Sequence, residues 1–142
     1  MRSAVLILCL LTSPLLWAAD AETPQGRLQV TVNGLKSSQG SVRLALFKGK
    51  ENFLKNVVDA AIVEIDDETC VWEVPALAYG EYAVAVYHDE NGNGKMDRYF
   101  YGKPKEPNGF SNDAPARFGP PKWKHARFVL DQAKKQIVVN LK

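Results

Sequence analysis

Hydrophobic residues recur at every second position in stretch after stretch of this chain. GRLQVTVNG places Leu28, Val30 and Val32 on one side and Arg27, Gln29 and Thr31 on the other. SVRLALF repeats the pattern with Val42, Leu44 and Leu46, DAAIVEID with Ala61, Val63 and Ile65, and TCVWEV with Cys70, Trp72 and Val74. Alternate side chains of a strand point to opposite faces, so each stretch predicts a strand with one face on a core. EYAVAVYHD is different. It is apolar on both faces (Tyr82, Val84 and Val86 against Ala83, Ala85 and Tyr87), which predicts a central strand covered on both sides. ARFVL and QIVVNLK close the chain, the latter with Ile137, Val139 and Leu141 on one face, and bring the count to seven.

No run of ten or more residues carries helical spacing with caps. KGKENFLKNVVD, between the second and third strands, predicts at most one short turn of helix. Short alternating strands punctuated by Gly, Asn, Asp and Pro predict an all-β fold, a seven-stranded antiparallel β-sandwich of immunoglobulin/transthyretin-like type. One segment breaks the rhythm. Residues 89–125 hold five of the eight prolines together with Tyr99, Phe100, Tyr101, Phe110, Phe118 and Trp123. Disordered inserts are poor in aromatics, and proline restricts the unfolded chain, so this composition predicts one long ordered loop lying over the sandwich. Phe100, Phe110 and Phe118 are expected to pin it down.

The loop opens on HDENGNGKMD. Asp89, Asn91, Asn93 and Asp97 stand at positions 1, 3, 5 and 9 of an EF-hand-like calcium loop. Gly94 falls at position 6, where the backbone turns sharply, and Lys95 at position 7 would contribute its carbonyl oxygen. Such spacing lets a winding loop aim several oxygens at one centre, and Ca2+ accepts six to eight of them at ~2.3–2.6 Å. Phe100 occupies position 12, where a bidentate carboxylate belongs, so Glu106, Asp113, a carbonyl or water would have to complete the shell. The alternative is a bare turn, in which Asn91-Gly92 and Asn93-Gly94 supply positive-φ residues and cap their own backbone.

The N-terminus and the overall charge narrow the setting. Arg2, the apolar stretch Ala4 to Leu16 and the small residues Ala18, Ala19 and Ala21 have the layout of a signal peptide over residues 1–21, cleaved after Ala19 or Ala21. Thr12, Ser13 and Pro14 interrupt the apolar run, which is short for a membrane span of ~20 residues. Residues 22–142 then form a single domain, periplasmic or secreted, with no transmembrane segment after cleavage. Its net charge of +2 makes no case for nucleic acid. Cys70 is the one cysteine beyond the leader, flanked by Val71 and Trp72, and is expected to be a buried, inert thiol.

A resemblance covers most of the domain. The motif G-x-Y-A-V-x-V-x-H-D-x-N-x-N-G-K-x-D at Gly80 to Asp97, G-x-P-K-E at Gly102 to Glu106, G-F-S-N at Gly109 to Asn112 and R-F-G-P-P at Arg117 to Pro121 resemble the bacterial domain-of-unknown-function family 2141. The resemblance implies a small secreted β-sandwich and carries no settled activity or catalytic residues.

Catalytic patterns are missing: no G-x-S-x-G elbow, paired-His metal motif or phosphate-binding glycine loop occurs. His88 and Asp89 are adjacent on a strand and so point to opposite faces. Seven basic side chains in residues 89–125 are interleaved with aromatics, which suits a binding surface. Tyr99, Tyr101, Trp123 and Arg117 are the residues expected to meet a partner, a cell-envelope protein or glycan. The resulting expectation is an exported, non-catalytic β-sandwich with a calcium-stiffened recognition loop. A plain structural or accessory domain with no metal is the alternative, and a hydrolase using His88 a third.

Overall fold

The computed structural model describes residues 22–65 and 68–142; the expected signal peptide lies outside them. Two sheets pack face to face. In the first, β1 (Gln25–Asn33) sits between β4 (Cys70–Ala78) and β8 (Lys134–Asn140). In the second, β2 (Ser41–Lys48) lies between β3 (Asp59–Glu64) and β5 (Gly80–Asp89), and β6 (Asn108–Phe110) and β7 (Phe128–Leu130) both pair with β5. The faces picked out by alternation meet between the layers: Leu28, Val30, Val32, Val42, Leu44, Leu46, Trp72, Val74, Tyr82, Val84 and Val86 form one buried cluster.

The all-β expectation holds, whereas the seven-stranded antiparallel plan does not. There are eight strands among the described residues, and β8 runs parallel to β1, pairing Arg27 with Lys134 through Asn33 with Asn140. The reason lies in the chain's route. β7 ends opposite Gly80, at the end of the sandwich where β1 begins, and three residues later the Ala133 carbonyl accepts the Arg27 N–H at 2.9 Å. So short a crossover cannot carry the chain to the far end, and β8 enters beside β1 in the same direction. Alternation encodes faces but not direction. β6 escaped notice because NGF has no period to read.

β6 and β7 lie end to end along one edge of β5, opposite Ala85–Tyr87 and Gly80–Tyr82 respectively. Between them residues 111–127 leave the edge as a second excursion, containing a 3-10 turn (Ser111–Asp113) and α1 (Trp123–Ala126). The gap would strand the N–H of Val84. Ser111 closes it: its fully buried Oγ accepts that N–H at 2.9 Å and donates to the Ala126 carbonyl at 2.5 Å. The excursion then folds back over the outer face of β5, where Ala83, Ala114, Trp123 and Ala126 form a second small core with Phe53 and Phe110. Phe53 comes from the β2–β3 connection, which is a series of turns with one helix-like bond, Asn56 N–H to the Asn52 carbonyl at 2.9 Å.

Cys70 begins β4 inside the main core, and burial pushes its thiol up to about 11. We expect it to resist a disulfide-exchange reagent at pH 8 in the native protein and to react fully once guanidinium unfolds the chain. Ser111→Ala removes the hydroxyl that accepts the Val84 N–H and should destabilise the fold by about 1–3 kcal/mol, read as a lower urea midpoint at constant slope.

Candidate functional site

The site grows out of the last residue of β5. Asp89 points to the outer face of its sheet, away from His88, and is fully buried. Arg43, on the neighbouring strand β2, donates Nε–H to Asp89 Oδ2 at 2.8 Å. The chain then winds round the same carboxylate: Asn93 N–H donates to Oδ1 at 3.1 Å and Gly94 N–H to Oδ2 at 2.9 Å. Burial alone would push this carboxyl up, but the Arg43 hydrogen bond and charge and the two backbone donors outweigh it and hold Asp89 below the usual aspartate range. Gly94 has φ +79°, a conformation that side chains resist, so the sharp turn needs glycine there. Gly40 is required by proximity, since a Cβ on it would stand 1.9 Å from the Asp89 carbonyl oxygen.

Further along, the same spacing that suggested a metal loop closes a ring. Asn91 Oδ1 accepts the Asn93 N–H at 3.1 Å and Asn93 Oδ1 accepts the Lys95 N–H at 2.9 Å. The amide nitrogens turn inward to Asp97: Asn91 Nδ2 donates to Oδ2 at 2.6 Å and Asn93 Nδ2 to both oxygens at 3.0–3.1 Å. Asp89, Asn91, Asn93 and Asp97 are therefore brought together, and Lys95 joins through its backbone. Glu106 locks the far side. Buried, it accepts the Glu90 N–H on Oε1 at 3.2 Å and the Asp97 N–H on Oε2 at 3.1 Å. Asp113, the other side chain considered for completing a metal shell, is elsewhere, holding Asn140 at 2.8–3.1 Å.

For Ca2+ the fit is mixed. The ring has the turn and the oxygen-bearing residues in the right order, but the two amides present nitrogen to Asp97, and Arg43 already neutralises Asp89. Among the described residues no group of three or more His, Cys, Asp or Glu is placed to hold a metal ion. An ion at this ring would be held by Asp97, the Asn oxygens and Asp89, the last in competition with Arg43, in exchange for the Asn–Asp hydrogen bonds.

Asp97 and Glu106 stand at the base of a hairpin. Lys105 N–H donates to the Asp97 carbonyl at 2.8 Å, Arg98 bridges Pro104, Tyr99 N–H reaches the Lys103 carbonyl at 2.9 Å, and Gly102 N–H turns back to Tyr99 at 2.8 Å. Tyr99 and Tyr101 stack at its tip with centroids 5.3 Å apart, Phe100 lies edge-on to Tyr101, and the Lys105 ammonium sits 5.3 Å from the Tyr99 centroid.

The aromatics are partly redistributed relative to expectation. Tyr99 and Tyr101 are exposed, as is Arg117 in the second excursion, but Trp123 is 9% exposed and packs on Phe53 at 5.5 Å. It is a pin, not a partner contact. Phe110 also pins, whereas Phe100 and Phe118, expected to do so, are wholly exposed at 101% and 104%. The excursion needs apolar side chains only where it crosses Ala83, and Trp123 reaches that floor. Arg43 is the residue that sequence reading passed over. It lies 46 positions from Asp89, and nothing local distinguishes it from any outward-facing basic residue.

His88 offers no chemistry to solvent. Its ring is fully buried, its Nε2–H donates to the Gln39 carbonyl at 2.6 Å, and among the described residues Nδ1 has no hydrogen-bond partner, the Glu90 carboxylate being 3.9 Å away.

Comparison with known proteins adds the family. The sequence profile for an uncharacterized protein conserved in bacteria, DUF2141, matches residues 30–138. The chain belongs to that family. The DUF2141 match spans both sheets and both excursions. No curated protein matches the chain, and no solved structure does. In this DUF2141 domain, Glu106→Ala should leave the Glu90 and Asp97 N–H groups without acceptors. We expect those two amides to exchange with deuterium at least tenfold faster, while amides of β1 and β4 keep their protection.

Proposed function

We propose that this protein is an exported, non-catalytic β-sandwich in which residues 89–106 take up Ca2+ and so stiffen a recognition surface turned toward a partner in the cell envelope. The observation that supports it is the ring: Asn91 and Asn93 both hydrogen-bond Asp97 through their side chains, and the Asn93 N–H ties the same turn to Asp89. Binding would exchange amide N–H donors for amide and carboxylate oxygens, with Gly94 making the turn and Lys95 contributing its carbonyl. Two carboxylates, one of them shared with Arg43, make a weak site. Export rests on the leader-like residues 1–21, and the surface on Tyr99 and Tyr101, now joined by Phe100.

A second reading is favoured by one specific observation. Asp89 already has three donors and a counter-charge, so the loop is satisfied without an ion. On that reading the segment is a metal-free structural turn in an accessory domain. Calorimetry separates the two. Titration with Ca2+ should give a dissociation constant of about 0.1–1 mM and a concentration-dependent rise in melting temperature, both lost in Asp97→Ala and in Asp89→Ala. Neither heat nor thermal shift at millimolar Ca2+ would leave the metal-free turn.

A further inference from the structure

We infer that the partner is the surface of an anionic lipid bilayer, engaged by the tip of the hairpin formed by residues 97–105. This assignment rests on the reading of that hairpin as the recognition surface and names what it meets. Three consecutive aromatics crown the tip, and Phe100, the most exposed of them, is 101% exposed. Three adjoining rings held in water on an ordered turn form a contiguous patch, and such patches mark interaction sites where a single exposed ring such as Phe118 does not. The turn is ordered by its own cross-hairpin hydrogen bonds and by Glu106 at its base, so the exposure is not that of a loose strand.

The shape and chemistry of the tip select among occupants. It is open at the turn: a Cβ built on Gly102 meets nothing within 4 Å. A sugar platform needs an open tyrosine face, but Tyr99 and Tyr101 cover each other, and Lys105 lies against Tyr99. What remains outward is a phenyl ring flanked by two phenols, the combination of apolar body and polar rim that settles at the headgroup level of a bilayer. Charge agrees. The hairpin carries Lys103, Lys105 and Arg98, the last with Nη1 donating to the Gly102 carbonyl at 2.9 Å, while the carboxylates of Asp97 and Glu106 are turned into the base on Asn91, Asn93 and backbone N–H groups. The whole chain carries only +2, so the attraction is local to the tip.

Vesicle co-sedimentation tests this with the exported protein, its N-terminus fixed by intact mass so that a retained leader is not mistaken for the tip. Vesicles of phosphatidylglycerol mixed with phosphatidylethanolamine should retain it, pure phosphatidylcholine vesicles much less, and raising salt should weaken the retention. Phe100→Ser should reduce binding about tenfold, and Lys103→Glu comparably, with unchanged circular dichroism because both side chains are in water in the folded state. Retention indifferent to Phe100→Ser would overturn the assignment, as would equal binding to both vesicle types. Binding to a soluble envelope polysaccharide or protein without vesicle retention would also overturn it, while keeping the recognition domain. Vesicle binding that persists in EDTA supports the lipid assignment and separates it from the Ca2+ reading, which calorimetry decides on its own.

Discussion

β5 is apolar on both faces, and a strand of that kind must be covered on both sides and paired on both edges. The first sheet covers one face, through Tyr82, Val84 and Val86. The other face has no third sheet to cover it, so the chain supplies a cover from its own edge. Splitting the edge strand into β6 and β7 lets residues 111–127 leave, cross Ala83 with Trp123, Ala114 and Ala126, and return. The interruption would cost a buried backbone donor, and the Ser111 hydroxyl restores the bond at Val84. The unusual length of the segment after β5 is thus a consequence of what β5 is made of.

The end of β5 faces the opposite problem. Where the apolar pattern stops, Asp89 is still buried, and a buried carboxylate without partners would be costly. Arg43 supplies the charge, and the turn supplies two N–H donors from Asn93 and Gly94. Glu106 repeats the device, accepting the N–H groups of Glu90, 16 residues before it, and of Asp97, 9 residues before it. Two carboxylates therefore act as acceptors at the centre of backbone turns. The loop is held by being wrapped round anions, whether or not a cation joins them.

Much of this was legible in the chain. The inner faces of β1, β2, β4 and β5 follow from alternation, because a half-buried strand cannot hide its period. That Asn91, Asn93 and Asp97 share one turn follows from spacing, but which atoms they present does not: the amides turn nitrogen to Asp97, and Asp89 turns to Arg43. What alternation does not carry is direction or partner choice, so the parallel β8 and the three-residue β6 were invisible. Contacts between distant positions were equally silent: Arg43 and Asp89 pair because β2 and β5 are neighbours, a fact of topology. The aromatics were misassigned for a related reason. Trp123 and Phe118 look alike in sequence, and only the position of the Ala83 floor decides that one is buried and the other is not.

Rigidity at the base gives the exposed tip its meaning. A flexible loop carrying Tyr99, Phe100 and Tyr101 would fold its rings onto the nearest apolar surface, because nothing would oppose collapse. Here the hairpin's cross-strand bonds, Pro104 and Pro107, and the Glu106 clamp hold the turn away from the sandwich, and Phe100 remains in water. Water contact of that kind is unfavourable in the isolated protein, but the turn is ordered in advance, so a partner that met these rings would not have to order them. If a cation joins Asp97, its effect would be felt at this base. It would tighten the residues from which the hairpin springs, leaving the rings at the tip unchanged in chemistry and better fixed in position.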